Sequence, residues 1–215
     1  MINIAMFTLW AALMGPSAAR SPVAAAPDQD RVVFEDDQIR VLRVTLGPHE
    51  TPVIQSRPDR VLLYLTADLD GHLPSAEAVW EPAGSGAPKN AAGTVFEAVV
   101  VELKTPIETI TFAPEWLADE GDRTVVVTPL IDNSRVTVTK CRMMPVVNST
   151  PRHAHSKDTI VFYVTGGQMA GTTAQGSLYG RHARRGEIDV LRPDTEHALG
   201  NLGGDLIELV LIQPK

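Results

Sequence analysis

Val33-Phe34-Glu35-Asp36-Asp37-Gln38-Ile39-Arg40-Val41 has a counterpart later in the chain, Leu130-Ile131-Asp132-Asn133-Ser134-Arg135-Val136-Thr137-Val138. Each is an apolar pair, a polar turn and then alternating apolar positions, the pattern of a half-buried strand. The match continues outward from there. Thr51-Pro52 meets Thr150-Pro151, Asp59 meets Asp158, Tyr64 meets Tyr163 and Thr66 meets Thr165. Past a longer hairpin in the second copy, Val79, Pro82, Ala87, Asn90, Gly93 and Glu97 meet Val190, Pro193, Ala198, Asn201, Gly204 and Glu208. A chain that contains itself twice is built from two similar units.

Each copy reads as several short strands broken by Pro, Gly and Asn, which predicts an all-β protein of sandwich or barrel type. The one helix candidate is Pro114-Glu115-Trp116-Leu117-Ala118-Asp119, between the copies. The expected organisation is a first barrel over residues 27–104, a connection over 105–128 carrying the acidic Asp119-Glu120-Gly121-Asp122, and a second barrel over 129–215.

Features present in both copies suit structure, and features in one copy suit function. The histidines fall in the second class. His153 and His155 stand one residue apart in Pro151-Arg152-His153-Ala154-His155-Ser156, where extended backbone would send both side chains to one side. His197 follows in a second turn-flanked segment, Arg192-Pro193-Asp194-Thr195-Glu196-His197. Their counterparts are Ile54, Ser56 and Gly86, so all three change together, as expected if one site binds one ion. Three neutral imidazoles leave a divalent cation its full charge and open positions for an anionic ligand. Imidazole suits iron, zinc, nickel and copper, whereas hard cations such as manganese prefer carboxylates.

The chain has 215 residues, 44% hydrophobic, with a formal net charge of -7. An acidic balance without a Lys/Arg cluster excludes nucleic acid as an expected partner. Arg181-His182-Ala183-Arg184-Arg185 is short and reads as a solvated hairpin. Cys141 is the only cysteine, so there is no internal disulfide and no cysteine zinc motif; opposite Val44, it reads as a small buried hydrophobe. Residues 1–26 read as a signal peptide. Ile4–Met14 is an apolar run too short to span a bilayer, and Ser17-Ala18-Ala19 offers a cut after Ala19. Export to the periplasm or medium is therefore expected, although Met1-Ile2-Asn3 lacks a positive charge. No membrane span is expected.

At the histidine segments the chain resembles the cupin superfamily, and the repeat makes it similar to the bicupins. The first family motif corresponds to His153-Ala154-His155, the β-run Ile160-Val161-Phe162-Tyr163-Val164 and Gly166. The second corresponds to Gly186, Pro193 to His197, and Asn201. The resemblance implies two jelly-roll, or double-stranded β-helix, barrels in tandem, with a metal-type motif in the second alone. The spacing from Pro193 to His197 is one residue short of the family pattern, and Thr159 or Ile160 stands where the family places a metal-binding Glu. Asp158 lies close by but matches Asp59 in the copy without the three-histidine set, so it reads as a turn residue. The remaining three-histidine set resembles that of cysteine dioxygenases and certain ring- or diketone-cleaving dioxygenases among cupins.

Three further residues are candidates for contact with a small, anionic ligand: Arg142 and Arg152, specific to the second copy, and Tyr163. Tyr163 faces Tyr64 in the repeat, which favours core packing, and a solvated strand edge would explain the arginines. Met143 and Met144 are placed at the barrel mouth or in its core, and Trp80, aligned with Leu191, in the core. The hairpin from Gly171 to Gly186, with Tyr179 and His182, is read as a lid or as a homodimer contact covering a sheet edge. The leading expectation is a metal-dependent, dioxygenase-like enzyme using iron on His153, His155 and His197. The alternatives are an exported small-molecule or metal-binding barrel without turnover, and a purely structural barrel.

Overall fold

The computed structural model describes residues 30–50, 58–66, 76–85, 90, 93–104, 125–145, 148–172 and 175–215. The expected signal segment, the helix candidate at 114–119 and most of the connection lie outside these residues. Among the described residues there is no helix, and so none long and apolar enough to cross a membrane.

The first half contributes β1 (Asp30–Glu35), β2 (Ile39–Leu46), β3 (Asp59–Tyr64), β4 (Ala78–Glu81) and β5 (Phe96–Leu103). They form one antiparallel sheet in the order β1-β2-β5-β3-β4. The second half supplies β6 (Val125–Asp132), β7 (Val136–Met143), β8 (Asn148–Ser149), β9 (Thr159–Tyr163), β10 (Gly167–Thr172), β11 (Leu178–Ala183), β12 (Ile188–Leu191), β13 (Ala198–Asn201) and β14 (Ile207–Pro214). Five of these make a sheet in the order β6-β7-β14-β9-β12, the first-half topology strand for strand. The other four make an opposing sheet, β11-β10-β13-β8. β6 begins at Val125, inside the stretch assigned to the connection; Val125-Val126-Val127 is a β-branched run that favours extended backbone.

Repeated residues make repeated bonds. Asn90 Nδ2 donates to the carbonyls of Leu46 and Thr94, and Asn201 Nδ2 to those of Met143 and Asp205. The hydroxyls of Thr66 and Thr165 accept from the backbone N–H of Glu97 and Glu208. Asp36 and Asn133 close the same turn by accepting from Ile39 N and Val136 N. One pairing differs from the sequence alignment: β3 sets Val61 opposite Trp80, whereas β9 sets Ile160 opposite Val190, so Trp80 corresponds to Val190 rather than Leu191. An extra residue between Asp194 and Asn201, relative to Gly84 and Asn90, absorbs the slip.

Every residue of β9 is buried, because its two faces meet different cores. Ile160 and Phe162 join Val138, Val210 and Ile212 against Val41, Val61, Leu63, Val99 and Val101, so the two five-stranded sheets pack face to face. Val161 and Tyr163 point the other way, into the second-half barrel, with Cys141, Met143, Met169, Ala183, Ile207, Leu209 and Leu211. Met143 is core; Met144 is exposed. Cys141 is buried as expected, and burial pushes its thiol up to about 12, which leaves it inert at neutral pH.

Candidate metal centre

His153 and His155 lie in the approach to β9, and His197 immediately precedes β13, on the opposing sheet. A short antiparallel bridge fixes the two segments to each other. His153 N donates to His197 O at 3.0 Å, His197 N donates back to His153 O at 2.8 Å, and Asp194 N donates to His155 O at 2.8 Å. The backbone thus holds the three rings at one mouth of the barrel. Their centroids are 5.2 Å (His153–His155), 4.5 Å (His153–His197) and 5.1 Å (His155–His197) apart. One nitrogen from each lies within 4.8 Å of the others, the only such group of His, Cys, Asp or Glu among the described residues.

The rings are oriented for ligation. His153 Nδ1 is 2.7 Å from Pro151 O and His197 Nδ1 is 2.9 Å from Thr195 O, so each Nδ1 carries the proton and donates it to a carbonyl. That tautomer leaves both Nε2 lone pairs for a cation, the usual outer-shell arrangement around a metal-binding histidine. His197 Nε2 is buried with no hydrogen-bond partner, a costly state for a polar atom unless something binds it. His155 and His197 are 5% and 6% exposed. Burial, and then the neighbouring His153 and His197, push His155 down to about 3; burial likewise lowers His153. Both shifts favour the neutral imidazole at His153 and His155, the form that metal binding requires. Residues, tautomers and the orphaned nitrogen all fit a divalent cation.

The other predicted residues separate. Arg142 does not join the histidines: Cys141 and Met143 face the barrel interior, so strand alternation turns Arg142 to the outer face, where its Nε lies 3.0 Å from Glu208. Arg152 stays at the rim beside His153, its Nε 3.0 Å from Glu196. Tyr163 is inside the barrel, but its position is about 13 Å along β9 from Thr159 at the usual strand rise. Its hydroxyl donates to Asp189 at 3.0 Å and accepts from Arg181 at 2.8 Å. Asp158 does not join the cluster either; it pairs with Arg192 at 2.9 Å.

Arg181 was read from the sequence only as part of a solvated hairpin. It bonds Asp189 and Tyr163, lies 2.5 Å from Glu187 and stacks 5.0 Å from the centre of the Tyr163 ring. Since β11 and β12 are the edge strands of the opposing sheets, this network ties the open seam of the barrel with side chains. The sole signal in the sequence was a run of charges around Glu187 and Asp189. Tyr179 was noted, and its ring lies where any side chain at Gly171 would have to go, 2.4 Å from an added Cβ. Gly171 also pairs with Leu199, two residues beyond His197, so Tyr179 walls the same side of the interior.

The first half, which lacks the three-histidine set, is built differently at the matching place. Arg60 is 2% exposed and its Nε donates to Glu81 at 2.7 Å. The strand-register counterparts of this pair are Thr159 and Leu191, next to the histidines. Where one half puts a buried ion pair, the other puts Thr159 and Leu191.

No protein-family model matches the chain. No curated protein matches it either. Solved structures do. A Pseudomonas aeruginosa protein described as glyoxylate-induced superimposes with a TM-score of 0.61, at 14% identity over 86% of this chain and 79% of its own. A variant of salicylate 1,2-dioxygenase from Pseudoaminobacter salicylatoxidans gives 0.59, at 10% identity over 82% and 71%. The cupin 2 conserved barrel domain protein from Leptotrichia buccalis gives 0.55, at 13% identity over 86% and 88%. At such identities the likeness speaks for architecture alone. That architecture agrees with the facing sheets, and the chain has the cupin fold.

Proposed function

We propose that His153, His155 and His197 hold one divalent cation and that the second-half barrel is a metal-dependent small-molecule enzyme of cupin type, dioxygenase-like in its chemistry. The observation that supports this most is the convergence of three buried or half-buried imidazoles, two fixed with Nε2 free of its proton, around a nitrogen that has no partner. The salicylate 1,2-dioxygenase that shares this fold has been seen in complex with gentisate, which makes small chelating acids the first substrates to test. Iron is the first candidate, with zinc, nickel and copper behind it; iron so held supplies a redox-active cation with positions left open for a chelating ligand. The chain's own contributions are separable. The Pro151 and Thr195 carbonyls fix the tautomers. The apolar interior around Met143 and Leu199 keeps water out, and Arg152 at the rim attracts an anionic ligand.

Oxygen consumption tests the reading. Protein loaded with ferrous iron under nitrogen is offered salicylate- and gentisate-like acids, thiols and diketones, and uptake is followed by electrode. The expected result is uptake with one of these classes, dependent on iron and abolished by His197→Ala. Tight binding of metal and acid with no uptake for any class would instead make the barrel a binding protein without turnover.

A further inference from the structure

The face between the two halves holds a cavity of about 320 Å³, bounded by Arg43, Leu65 and Glu97 from the first half and by Phe162, Val164 and Arg185 from the second. The internal repeat shows what is unusual about it. Arg43 on β2 pairs with Val99 as Lys140 on β7 pairs with Val210, so the two cations occupy equivalent positions. Glu77 and Glu187 are equivalent too, since their carbonyls accept from Tyr64 N and Tyr163 N at 3.0 Å in each case.

On one side of the interface Lys140 reaches across to Glu77 at 3.1 Å and is neutralised. On the other side the matching pair would be Arg43 and Glu187, and it does not form. Glu187 is engaged by Arg181 at 2.5 Å and by the Arg184 N–H at 2.7 Å. Arg43 instead donates a long bond to the Gly186 carbonyl, 3.3 Å, and its nearest carboxylate is Glu97 at 3.7 Å. Arg185 adds a second guanidinium, with a 3.5 Å contact to the Leu65 carbonyl. Two cations and one carboxylate thus line a cleft together with Thr66, Gly186 and the apolar Leu65, Phe162 and Val164.

We propose that this cleft is a binding site for a small organic carboxylate, separate from the histidine cluster. The carboxylate is taken by the guanidinium of Arg43, with Arg185 beside it, in the planar fork geometry that arginine offers. The hydrocarbon part of the ligand lies against Leu65, Phe162 and Val164. The volume is at the small end of ligand pockets, about 300–1,000 Å³, which limits the ligand to a compact acid. Because the walls come from both halves, occupancy would clamp one half to the other and raise the stability of the whole chain.

Benzoate titrated into the metal-free, full-length protein, followed by calorimetry and by thermal unfolding, tests this, with inorganic phosphate as the comparison anion. Saturable benzoate binding is expected, tighter than phosphate, weakened about tenfold or more by Arg43→Gln through loss of charged hydrogen bonds, and unchanged by His197→Ala. Glu97→Gln removes the competing carboxylate and is expected to tighten binding, a gain that a poorly folded variant could not mimic. No saturable benzoate response, a response unchanged by Arg43→Gln and Glu97→Gln, or phosphate binding as tightly as benzoate would overturn the assignment.

Discussion

Three imidazoles gathered within 4.8 Å cannot all be protonated without mutual repulsion, and burial makes the charge more costly still. His155 feels this most: burial first, then His153 and His197, hold it to about 3. The linkage has a definite sign. In the folded chain His155 resists a proton that the unfolded chain accepts near the usual histidine value of about 6.5. Its neutral form contributes fully to stability above that value, and the contribution fades as pH falls towards about 3. Metal-free protein is therefore expected to lose stability steadily between about pH 6.5 and 4 in urea titrations, with a shallower loss in His155→Gln. An identical slope in the two proteins would remove His155 as the cause. At this scale the three-histidine cluster was readable from the sequence, since the positions matching His153, His155 and His197 in the first copy carry no histidine. Arg142 was not, because strand parity, set by Cys141 and Met143 facing inward, decides which side of the sheet it takes. Arg181 escaped for another reason. It belongs to a hairpin that is longer in the second copy, where the first copy has too few residues to supply a counterpart, and its partner Asp189 arrives only when β11 and β12 meet as sheet edges.

Among the elements, the turns carry the duplication most faithfully and also mark where it is imperfect. Ala76 and Gly186 hold equivalent places: the N–H of each donates to the carbonyl of Tyr64 or Tyr163, at 2.7 and 2.8 Å. Gly186 has φ 79, which glycine adopts freely, and Ala76 has φ 69, where its Cβ crowds the following carbonyl. Ala76→Gly is accordingly expected to stabilise the protein by up to about 1 kcal/mol, as relief of the left-handed strain exceeds the added chain entropy. A denaturation midpoint lower than that of the parent would contradict this reading of the turn. The same comparison accounts for the one-residue error in matching Trp80. Alignment by residue type favoured Val79 with Val190, whereas hydrogen-bond register places the inserted residue later, between Asp194 and Asn201. Strand identity was legible in composition; register was not, because a slip of one leaves an apolar pattern plausible on either face when both faces are buried.

For the molecule as a whole, the central fact is the core shared by the two five-stranded sheets. Phe162, 1% exposed, sits in it with residues from both halves. Truncating it to alanine is expected to cost about 3–5 kcal/mol, the range for a buried aromatic, and because the core is shared the loss should fall on one cooperative unfolding transition. Two separated transitions in the parent protein, with only one moved by Phe162→Ala, would show instead that the halves are stabilised independently. The duplication was visible in the sequence, but the mode of packing came only with the strand faces, from which Ile160 and Phe162 point away from the barrel while Val161 and Tyr163 point into it.

The most direct measurement is the metal content of protein purified without added metal, set beside that of His153→Ala and His197→Ala purified in the same way. The account predicts about one divalent ion per parent chain and little or none in either variant, with the fold of both variants retained by circular dichroism. A metal-free parent that also fails to take up added iron, zinc, nickel or copper, or variants that keep the parent's metal content, would contradict it.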